Sequence, residues 1–352
     1  MNPSVLPVFD GHNDLLLRLY QGTVDAEAIR DGCPGGHIDL PRARRGGWGG
    51  GLFAIFAPPV GESGVAGMGA FDGTGYDLPL PPALPADQAL PMALAQVEQF
   101  ERLAALGVIT PCTTAGGIRA ALGSERLAAV LHMEGAEAID ADCEALERFH
   151  GLGLRSLGPV WSRPTVFGHG VPFRFPATGD TGPGLTDAGR RLVRECNRLG
   201  IMLDLSHLNE AGFNDVAALS EAPLVASHSN AHALCPHARN LTDYQLDRIA
   251  ERGGLVGLNF AAAFLRPDGR MNGDFGVDLM LRHLDHLLAH LGEQGVGLGS
   301  DFDGATVSRE IGDCSGLPVL REALQRHGVD APLMTRLCHA NWLRVLEQTW
   351  GE

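Results

Sequence analysis

The feature that most limits the fold of this chain is a series of eight short apolar segments, most of them separated by helical patterns. The segments are rich in Val, Ile, Leu, Phe and Gly, and most are continuous rather than alternating, as expected for strands buried on both faces. They cover residues 5–10, 51–57, 128–134, 153–161, 200–207, 223–228, 253–260 and 296–301. Repeated strand–helix units predict a parallel sheet. Eight such units predict a (β/α)8 barrel of the TIM type.

Helical patterns precede four of these predicted strands. Several of the patterns open with Thr-Asp or Asp and close with Gly, which are the residues that cap helix ends. The four stretches are 90–107, 185–200, 241–254 and 277–295. They predict helices before the third, fifth, seventh and eighth strands.

Two long segments interrupt this rhythm. Residues 58–86 are rich in Pro and Gly and follow the second strand, and residues 162–185 follow the fourth. Loops of this length in a compact domain tend to be lids or binding loops, although surface insertions without function remain the alternative. Because no internal repeat or low-complexity linker divides the chain, we predict one catalytic barrel domain over residues 1–352.

Composition excludes several classes of function. A net charge of −15 argues against a nucleic-acid partner, which would be drawn to basic patches. No basic leader with an apolar stretch, no membrane-spanning apolar run and no apolar anchor tail is visible, so we expect a cytoplasmic protein without membrane attachment. Seven cysteines without a CxxC pair predict reduced thiols rather than a disulfide framework.

The chain contains no lysine. A Schiff-base mechanism, a phosphate-binding Walker lysine and a carboxylated lysine between two metal ions are therefore all excluded. Any bridge between two ions must come from an ordinary carboxylate or from water.

Metal-type side chains stand at the ends of the predicted strands. They are His12, Asp14, Glu134, His207, His228 and Asp301. A parallel barrel brings its strand ends to one face, so side chains far apart in sequence converge there. Three imidazoles and three carboxylates suit a borderline divalent ion such as zinc.

Taken singly, these residues have other interpretations. His12 and Asp14 share one face of a strand, but this short spacing is common by chance. Glu134 has two oxygens that could bridge two ions, or it could form a salt bridge. His207 and His228 alone would each be a structural histidine, whereas together with the others they predict metal ligands.

Asp301 is the candidate proton carrier, because a carboxylate beside a metal site can accept a proton from water and donate it to a leaving group. Asp303 follows in the same turn and is the alternative for this role, although helix capping or turn formation is the favoured interpretation of Asp303. His132 is interpreted as a core residue or a partner of the ligands. His283, His286 and His290 are interpreted as part of a packed or solvated helix. Four more histidines have no partner that the sequence reveals: His37, His150, His327 and His339.

Together these motifs resemble the membrane dipeptidase (renal dipeptidase) family of zinc metallopeptidases, which are amidohydrolase-like barrels. The resemblance covers nearly the whole chain. Its motifs are DGHND at 10–14, EGA at 134–136, LSH at 205–207, SHSNAHALCPHARN at 227–240 and GSDFDG at 299–304. It implies two zinc ions per chain, one held by His12, Asp14 and Glu134 and the other by Glu134, His207 and His228.

The resemblance also implies a reaction. A metal-activated hydroxide would attack the peptide bond of a small dipeptide, including dipeptides with a C-terminal D-residue, and Asp301 would pass the proton to the departing amine. Arg239 matches the family arginine that pairs with the free carboxylate of the dipeptide, a task that suits a guanidinium fork. A loop-bracing role is the alternative for Arg239. A homodimer is a further expectation from the family.

One position departs from the family pattern. Its better-known members carry a histidine at the end of the fourth strand that contacts the scissile carbonyl of the substrate or its oxyanion. This chain has Trp161 at that substrate-binding position. An indole N–H donates a hydrogen bond but cannot carry a positive charge, so we expect weaker stabilisation of the oxyanion. His169, in the second long loop, is the candidate to supply an imidazole instead.

Two other functions remain open. The same barrel could act on an N-acyl amino acid or a lactone, or it could be a catalytically silent homologue that binds metal or peptide. A TatD-type nuclease is disfavoured, because it would begin with His-x-His and tolerate far less negative charge.

Overall fold

A barrel of parallel strands forms the centre of the protein. The structure is a computed structural model that describes residues 6–59 and 75–351. Its described strands are β1 (Val8–Asn13), β2 (Trp48–Phe56), β3 (Tyr76–Asp77), β4 (Ile109–Pro111), β5 (Leu127–Glu134), β6 (Leu154–Gly158), β7 (Arg174–Phe175), β8 (Met202–Leu203), β9 (Val225–Ser229), β10 (Leu255–Asn259) and β11 (Val296–Gly299). Eight of them pair in the order β8, β6, β5, β2, β1, β11, β10, β9. A bridge between Asp204 and Val225 joins the two ends of this sheet, so the predicted (β/α)8 barrel is confirmed.

Helices surround the barrel. They are α1 (Leu15–Tyr20), α2 (Ala26–Asp31), α3 (Leu40–Gly46), α4 (Ala86–Ala105), α5 (Ala115–Leu122), α6 (Glu144–Gly151), α7 (Asp187–Leu199), α8 (Glu210–Leu219), α9 (Asp243–Glu251), α10 (Ala262–Leu265), α11 (Asp278–Leu291), α12 (Leu317–Arg326), α13 (Ala331–Thr335) and α14 (Asn341–Trp350). The four predicted helices correspond to α4, α7, α9 and α11. The side chains of Thr186 and Thr242 cap α7 and α9 as their sequences predict.

Two strands differ from the sequence prediction. The predicted segment 200–207 contains only the short strand β8. Beyond it, the Asp204 side chain accepts a hydrogen bond from the Ser206 N–H, 3.0 Å away, which turns the chain out of the sheet. β4 was not predicted, because three residues beside β5 are too few to show a period.

Glycines let the strands approach closely inside the barrel. Gly11, Gly257 and Gly299 all face the carbonyl oxygen of Ser227. A Cβ atom on any of them would lie 2.0 to 2.3 Å from that oxygen, far inside contact distance. Only glycine fits such a close backbone approach. The three strands that carry them therefore pack against β9, which brings their carboxyl ends together.

The C-terminal helix braces this part of the barrel. Trp342 on α14 is fully buried. Its indole N–H donates to the Leu298 carbonyl, 3.0 Å away, and its ring packs 6.3 Å from that of Phe9. α14 thereby holds β1 and β11, whose ends carry three of the candidate site residues, His12, Asp14 and Asp301.

The two long loops pair with each other. β3, from the first loop, lies antiparallel to β7, from the second, and the Leu78 N–H donates to the Phe173 carbonyl at 3.0 Å. The Tyr76 hydroxyl donates to the Gly269 carbonyl at 2.8 Å. Residues 60–74 of the first loop lie outside the described residues.

Within the described part of the chain, no helix has both the length and the apolar character needed to cross a membrane. All seven cysteines are free thiols, and six of them are buried.

Candidate metal centre

Six candidate site residues meet at the carboxyl ends of the strands. His12 and Asp14 lie at the end of β1, Glu134 ends β5, His207 follows β8, His228 lies in β9, and Asp301 follows β11. All six are buried, and none is more than 8% exposed. The structure thus brings together side chains that are up to 289 positions apart, Asp301 minus His12.

Glu134 lies between the histidines. Its Oε2 is 3.8 Å from His12 Nε2, and its Oε1 is 3.1 Å from His207 Nε2 and 3.4 Å from His228 Nε2. The Nε2 atoms of His207 and His228 are 3.2 Å apart. Each carboxylate oxygen therefore faces a different part of the site, which is the arrangement that a ligand shared by two ions requires.

A second set of donors surrounds His12. Its Nε2 atom is 3.4 Å from Asp14 Oδ2. Two groups have donor atoms within 4.8 Å of one another: His12, Glu134 and His228, and His12, Asp14 and Asp301. The structure therefore groups Asp301 with His12 and Asp14 as a potential ligand, whereas the sequence predicted Asp301 only as a proton carrier.

The donor set fits a divalent cation. Both ring nitrogens of His12 are buried without a hydrogen-bond partner among the described residues. A buried polar atom without a partner is costly, and a cation at Nε2 would satisfy one of them. Imidazole nitrogens and carboxylate oxygens are the ligands that zinc takes in catalytic sites.

Electrostatics favour the same interpretation. Burial, together with the nearby charges of Asp14 and Asp301, raises the pKa of Glu134 to about 8, although His12 opposes this shift. Although burial opposes protonation of His12, the carboxylates of Glu134 and Asp14 raise its pKa to about 10. A site that binds a proton this strongly has a large negative potential, which also attracts metal ions.

Hydroxyl groups orient two of the histidines. Ser162 Oγ lies 3.1 Å from His207 Nδ1, and Ser227 Oγ lies 2.7 Å from His228 Nδ1. Because the Ser227 hydroxyl donates its own proton to Asp204, it accepts from His228, and the proton of that ring lies on Nδ1. Nε2 then presents its lone pair toward Glu134, as a metal ligand must.

Asp204 completes this arrangement behind His228. Ser227 Oγ donates to Asp204 Oδ2, and the Ser227 N–H donates to Asp204 Oδ1 at 2.8 Å. Although burial opposes its ionisation, His132 and the hydrogen bonds from Ser227 keep the pKa of Asp204 below its usual value. His132 lies 3.6 Å from Asp204, next to the site rather than in it.

Sequence reasoning missed these orienting residues. Ser227 and Asp204 lie in apolar strand segments, where a buried polar side chain is itself a signal. Ser162 lies in a long loop, and its spacing to His207 carries no signal. Asp10 was also missed, although it accepts hydrogen bonds from Trp48 Nε1 at 3.1 Å and from the Ser300 N–H at 2.6 Å.

Two of the site residues have unusual backbone conformations. His207 has φ 67° and Asp301 has φ 59°, both in the left-handed region. Non-glycine residues there cost on the order of 1–3 kcal/mol and cluster at functional sites. The His207 carbonyl accepts the Val171 N–H at 2.7 Å, so the second long loop helps to hold this conformation.

Asp301 and Asp303 have different partners. Asn259 Nδ2 donates to Asp301 Oδ2 at 3.1 Å, and burial raises the pKa of Asp301. Asp303 forms an ion pair with Arg18 at 3.2 Å and accepts the His37 N–H. The Asp303 N–H also donates to His37 Nδ1 at 2.8 Å. Asp303 therefore braces a turn, and His37 has a partner that the sequence did not reveal.

A cavity of about 210 Å³ opens beside these residues. Asp14, Glu134, His207 and Asp301 contribute to its lining, and four aromatic side chains form much of its wall: Phe56, Trp161, Phe173 and Phe264. A chemically mixed cavity of this kind, with a few convergent polar groups, is typical of a small-molecule site.

Comparison with known proteins identifies the family. The family model described as membrane dipeptidase (peptidase family M19) matches residues 4–350. The chain belongs to this family.

Two solved structures resemble this membrane dipeptidase family member over nearly its full length. The dipeptidase AC, described as a metallopeptidase, is 57% identical, with a TM-score of 0.95 and 99% of each chain covered. A metallopeptidase from Rhodobacter sphaeroides, bound to a phosphinate mimic of the dipeptide L-Ala-D-Ala, is 57% identical. Its TM-score is 0.94, with 99% of this chain and 100% of that chain covered.

A curated relative shows the same similarity in sequence. The uncharacterized protein in the pqqA 5' region of Klebsiella pneumoniae is 47% identical over 246 residues, which are 70% of this chain and 91% of that protein. Together with the family match, these similarities confirm the predicted family and the predicted class of enzyme, a metallopeptidase.

Trp161, which the sequence predicts at the position of the family histidine, lines the cavity. Its ring lies 5.0 Å from that of Phe56, 5.3 Å from that of Phe173 and 6.0 Å from that of His207. A buried ion pair that the sequence did not reveal supports it: Arg163 Nε lies 2.7 Å from Glu137 Oε1, and its guanidinium lies 5.8 Å from the Trp161 ring.

His169 is not among the described residues that line the cavity. It is only partly buried, and its carbonyl accepts the Asn209 N–H at 3.1 Å. The loop folds so that Gly170, the next residue, pairs with Leu208. The structure therefore does not bring His169 to the cavity as a replacement for the family histidine.

Arg239 is buried behind the cavity wall. It donates to Ser229 Oγ and to the His228 carbonyl, each at 2.9 Å. Its guanidinium lies 5.7 Å from the ring centre of Phe264, and its Nε has no partner among the described residues. Burial lowers the pKa of Arg239 to about 10, but the guanidinium remains charged near neutral pH.

Proposed function

We propose that this protein is a dipeptidase that uses two zinc ions to hydrolyse small dipeptides, including those with a C-terminal D-residue. The observation that carries the proposal is the position of Glu134, whose two oxygens face different histidines. His12, Asp14 and Glu134 would hold one ion, and Glu134, His207 and His228 the other. When bound, zinc supplies a Lewis acid and lowers the pKa of water to near neutrality.

The residues of the chain supply the remaining chemistry. Asp301 would take up and release a proton, because it lines the cavity and burial raises its pKa. Asn259 fixes the orientation of its carboxylate. Trp161 and Phe56 exclude water from one side of the cavity and offer an apolar surface to a substrate side chain.

Two observations support a small dipeptide as the substrate. The cavity volume of about 210 Å³ is below the ~300–1,000 Å³ of sites that hold drug-sized ligands. The relative from Rhodobacter sphaeroides, 57% identical, binds a mimic of L-Ala-D-Ala. Arg239 would pair with the free carboxylate of the dipeptide through the Nε edge, which has no other partner among the described residues.

A second candidate function has its own support. Among the described residues, no arginine lines the cavity, and much of its wall is aromatic. An uncharged amide, an N-acyl amino acid or a lactone would suit this wall without any pairing to Arg239.

The preference for a free carboxylate distinguishes the two functions. Metal-loaded protein should cleave a dipeptide much faster than the same dipeptide with an amidated C-terminus. In Arg239→Ala this preference should be lost, because the loss of one charge-assisted hydrogen-bonded pair costs about 1.5–3 kcal/mol. Equal rates on both substrates in the parent protein would favour the second function, and no cleavage of any dipeptide would contradict the first.

A further inference from the structure

A second group of metal-type side chains lies on the outside of the barrel, between α9 and α11. It consists of Asp243 and Asp247, one turn apart on α9, and His286 and His290, one turn apart on α11. Residues four positions apart share a helix face, so the two helices present these pairs to each other. We call this group the α9–α11 cluster, and it does not share any residue with the candidate metal centre.

The distances in the cluster resemble those of a ligand set. Asp243 Oδ1 lies 2.7 Å from His286 Nε2 and 3.7 Å from His290 Nε2. One potential ligand atom from each of these three residues lies within 4.8 Å of the other two. Given bonds of ~2.1 Å, the ligand atoms of a tetrahedral zinc ion lie about 3.4 Å apart. The observed distances fall on both sides of this value, so small side-chain rotations would accommodate an ion.

Asp247 orients one of the two imidazoles. Its Oδ1 lies 2.7 Å from His290 Nδ1. With the proton of this ring on Nδ1, the lone pair of Nε2 is directed toward Asp243. At 3.7 Å the Nε2 atom is beyond hydrogen-bond distance from Asp243. A carboxylate that holds the far nitrogen of a ligand histidine is the usual support of a zinc site.

The cluster is also accessible to a metal ion from solution. The side chains of His286 and His290 are 22% and 24% exposed, and that of Asp243 is 52% exposed. Water can therefore complete the coordination. An exposed histidine–aspartate pair elsewhere lacks such a third ligand. His327 Nε2 lies 2.9 Å from Asp285 Oδ1, but no further metal-type side chain in the described part of the chain is grouped with this pair.

From this arrangement we propose that the α9–α11 cluster is a separate peripheral binding site for a zinc-class divalent ion. His286 Nε2, His290 Nε2 and Asp243 Oδ1 are its ligands, and Asp247 positions His290. The site does not depend on the proposed dipeptidase activity, because none of its residues lines the cavity and it uses different elements.

Equilibrium dialysis against a series of buffered free Zn²⁺ concentrations tests this site. The parent protein should bind one zinc equivalent more at saturation than the double variant His286→Ala/His290→Ala. The His327→Ala variant is the matched control and should bind as many equivalents as the parent. Equal saturation of the parent and the double variant would overturn the proposal.

A milder variant tests the positioning role. Asp247→Asn should retain the additional equivalent but bind it roughly 10–100-fold more weakly. Dipeptide hydrolysis by the double variant should match that of the parent when the free Zn²⁺ concentration fills only the central site. A double variant that loses an equivalent and the hydrolytic activity together would place that ion in the central site and contradict the proposal.

Discussion

At the scale of single residues, the site depends on side chains that do two things at once. Glu134 contacts three histidines, and Asp301 contacts Asn259 while lining the cavity. Two of the candidate ligands are also held from behind, His207 by Ser162 and His228 by Ser227. Such supported ligands are fixed before a metal ion or a substrate arrives.

Replacement of Asp301 by Asn tests its role as the proton carrier. The change keeps the shape of the side chain but removes its ability to bind and release a proton. We expect kcat for dipeptide hydrolysis to fall roughly 10²–10⁴-fold, with KM and bound metal nearly unchanged. Steady-state kinetics and metal analysis measure this. Loss of a metal ion from the Asn variant would instead make Asp301 a ligand, as its closeness to His12 and Asp14 allows.

Replacement of Asp204 by Asn tests the chain from Asp204 through Ser227 to His228. The charge that fixes the Ser227 hydroxyl is lost, so His228 is oriented less well. We expect the affinity for zinc to fall roughly 10–100-fold, measured by competition with a chelator. Asp39→Asn is the matched control, because Asp39 is equally buried but pairs with Arg42. Equal loss of affinity in both variants would contradict the positioning role.

His283 makes the stability depend on pH. Burial lowers its pKa to about 4, compared with ~6.5 in an unfolded chain. Between these values the unfolded state binds a proton that the native state does not. The contribution of His283 to the free energy of unfolding is therefore complete above about pH 6.5. It is lost as the pH falls toward 4, by up to ~1.4 kcal/mol per pH unit.

The variant His283→Gln removes this dependence. At about pH 7 the variant should be less stable than the parent, because His283 bonds to the Ala231 N–H and the Leu265 carbonyl. The gap in free energy of unfolding should narrow as the pH is lowered to about 5, since only the parent has this titration. Urea denaturation at several pH values measures the gap, and a gap that stays constant would contradict the assignment.

At the scale of elements, strand ends and loops could be predicted to different degrees. The apolar runs revealed the barrel strands, because a strand buried on both faces needs such a run. The six candidate residues were recognised because each ends one of these runs. β4 and the pairing of β3 with β7 could not be predicted, because two or three residues carry no period and their partners are distant in sequence.

Residues in loops were the least predictable part of the site. His169 was expected near the cavity because it is an imidazole in a long loop, but loop sequence does not fix side-chain direction. Ser162 and Arg163 do support the site, yet their partners lie 45 and 26 positions away. Such contacts depend on the closed barrel and not on local pattern.

The strap made by β3 and β7 should affect substrate binding. Tyr76→Phe removes the hydrogen bond to the Gly269 carbonyl, worth about 1 kcal/mol. Because Phe173 in the cavity wall bonds to this strap, we expect KM for a dipeptide to rise a few-fold with kcat little changed. Tyr244→Phe is the matched control, since its hydroxyl bonds only to Asn214 in the described structure. Identical kinetics for both variants would contradict a role for the strap.

At the scale of the whole molecule, the barrel explains why residues from five strand ends form one site. Gly11, Gly257 and Gly299 allow the strands to close around Ser227, and the C-terminal helix holds β1 and β11 in place. The oligomeric state, the cytoplasmic location and the absence of a nucleic-acid partner stay predictions from sequence and family.

The central claim is that metal ions at Glu134 make this protein a dipeptidase. It is tested most directly by metal content and by hydrolysis of L-Ala-D-Ala-type and L,L dipeptides, before and after chelation. The account predicts about two tightly held zinc ions per chain, cleavage of at least one dipeptide, loss of cleavage on chelation and its return with zinc. Cleavage that chelation leaves unchanged, or none by the zinc-loaded protein, would contradict it.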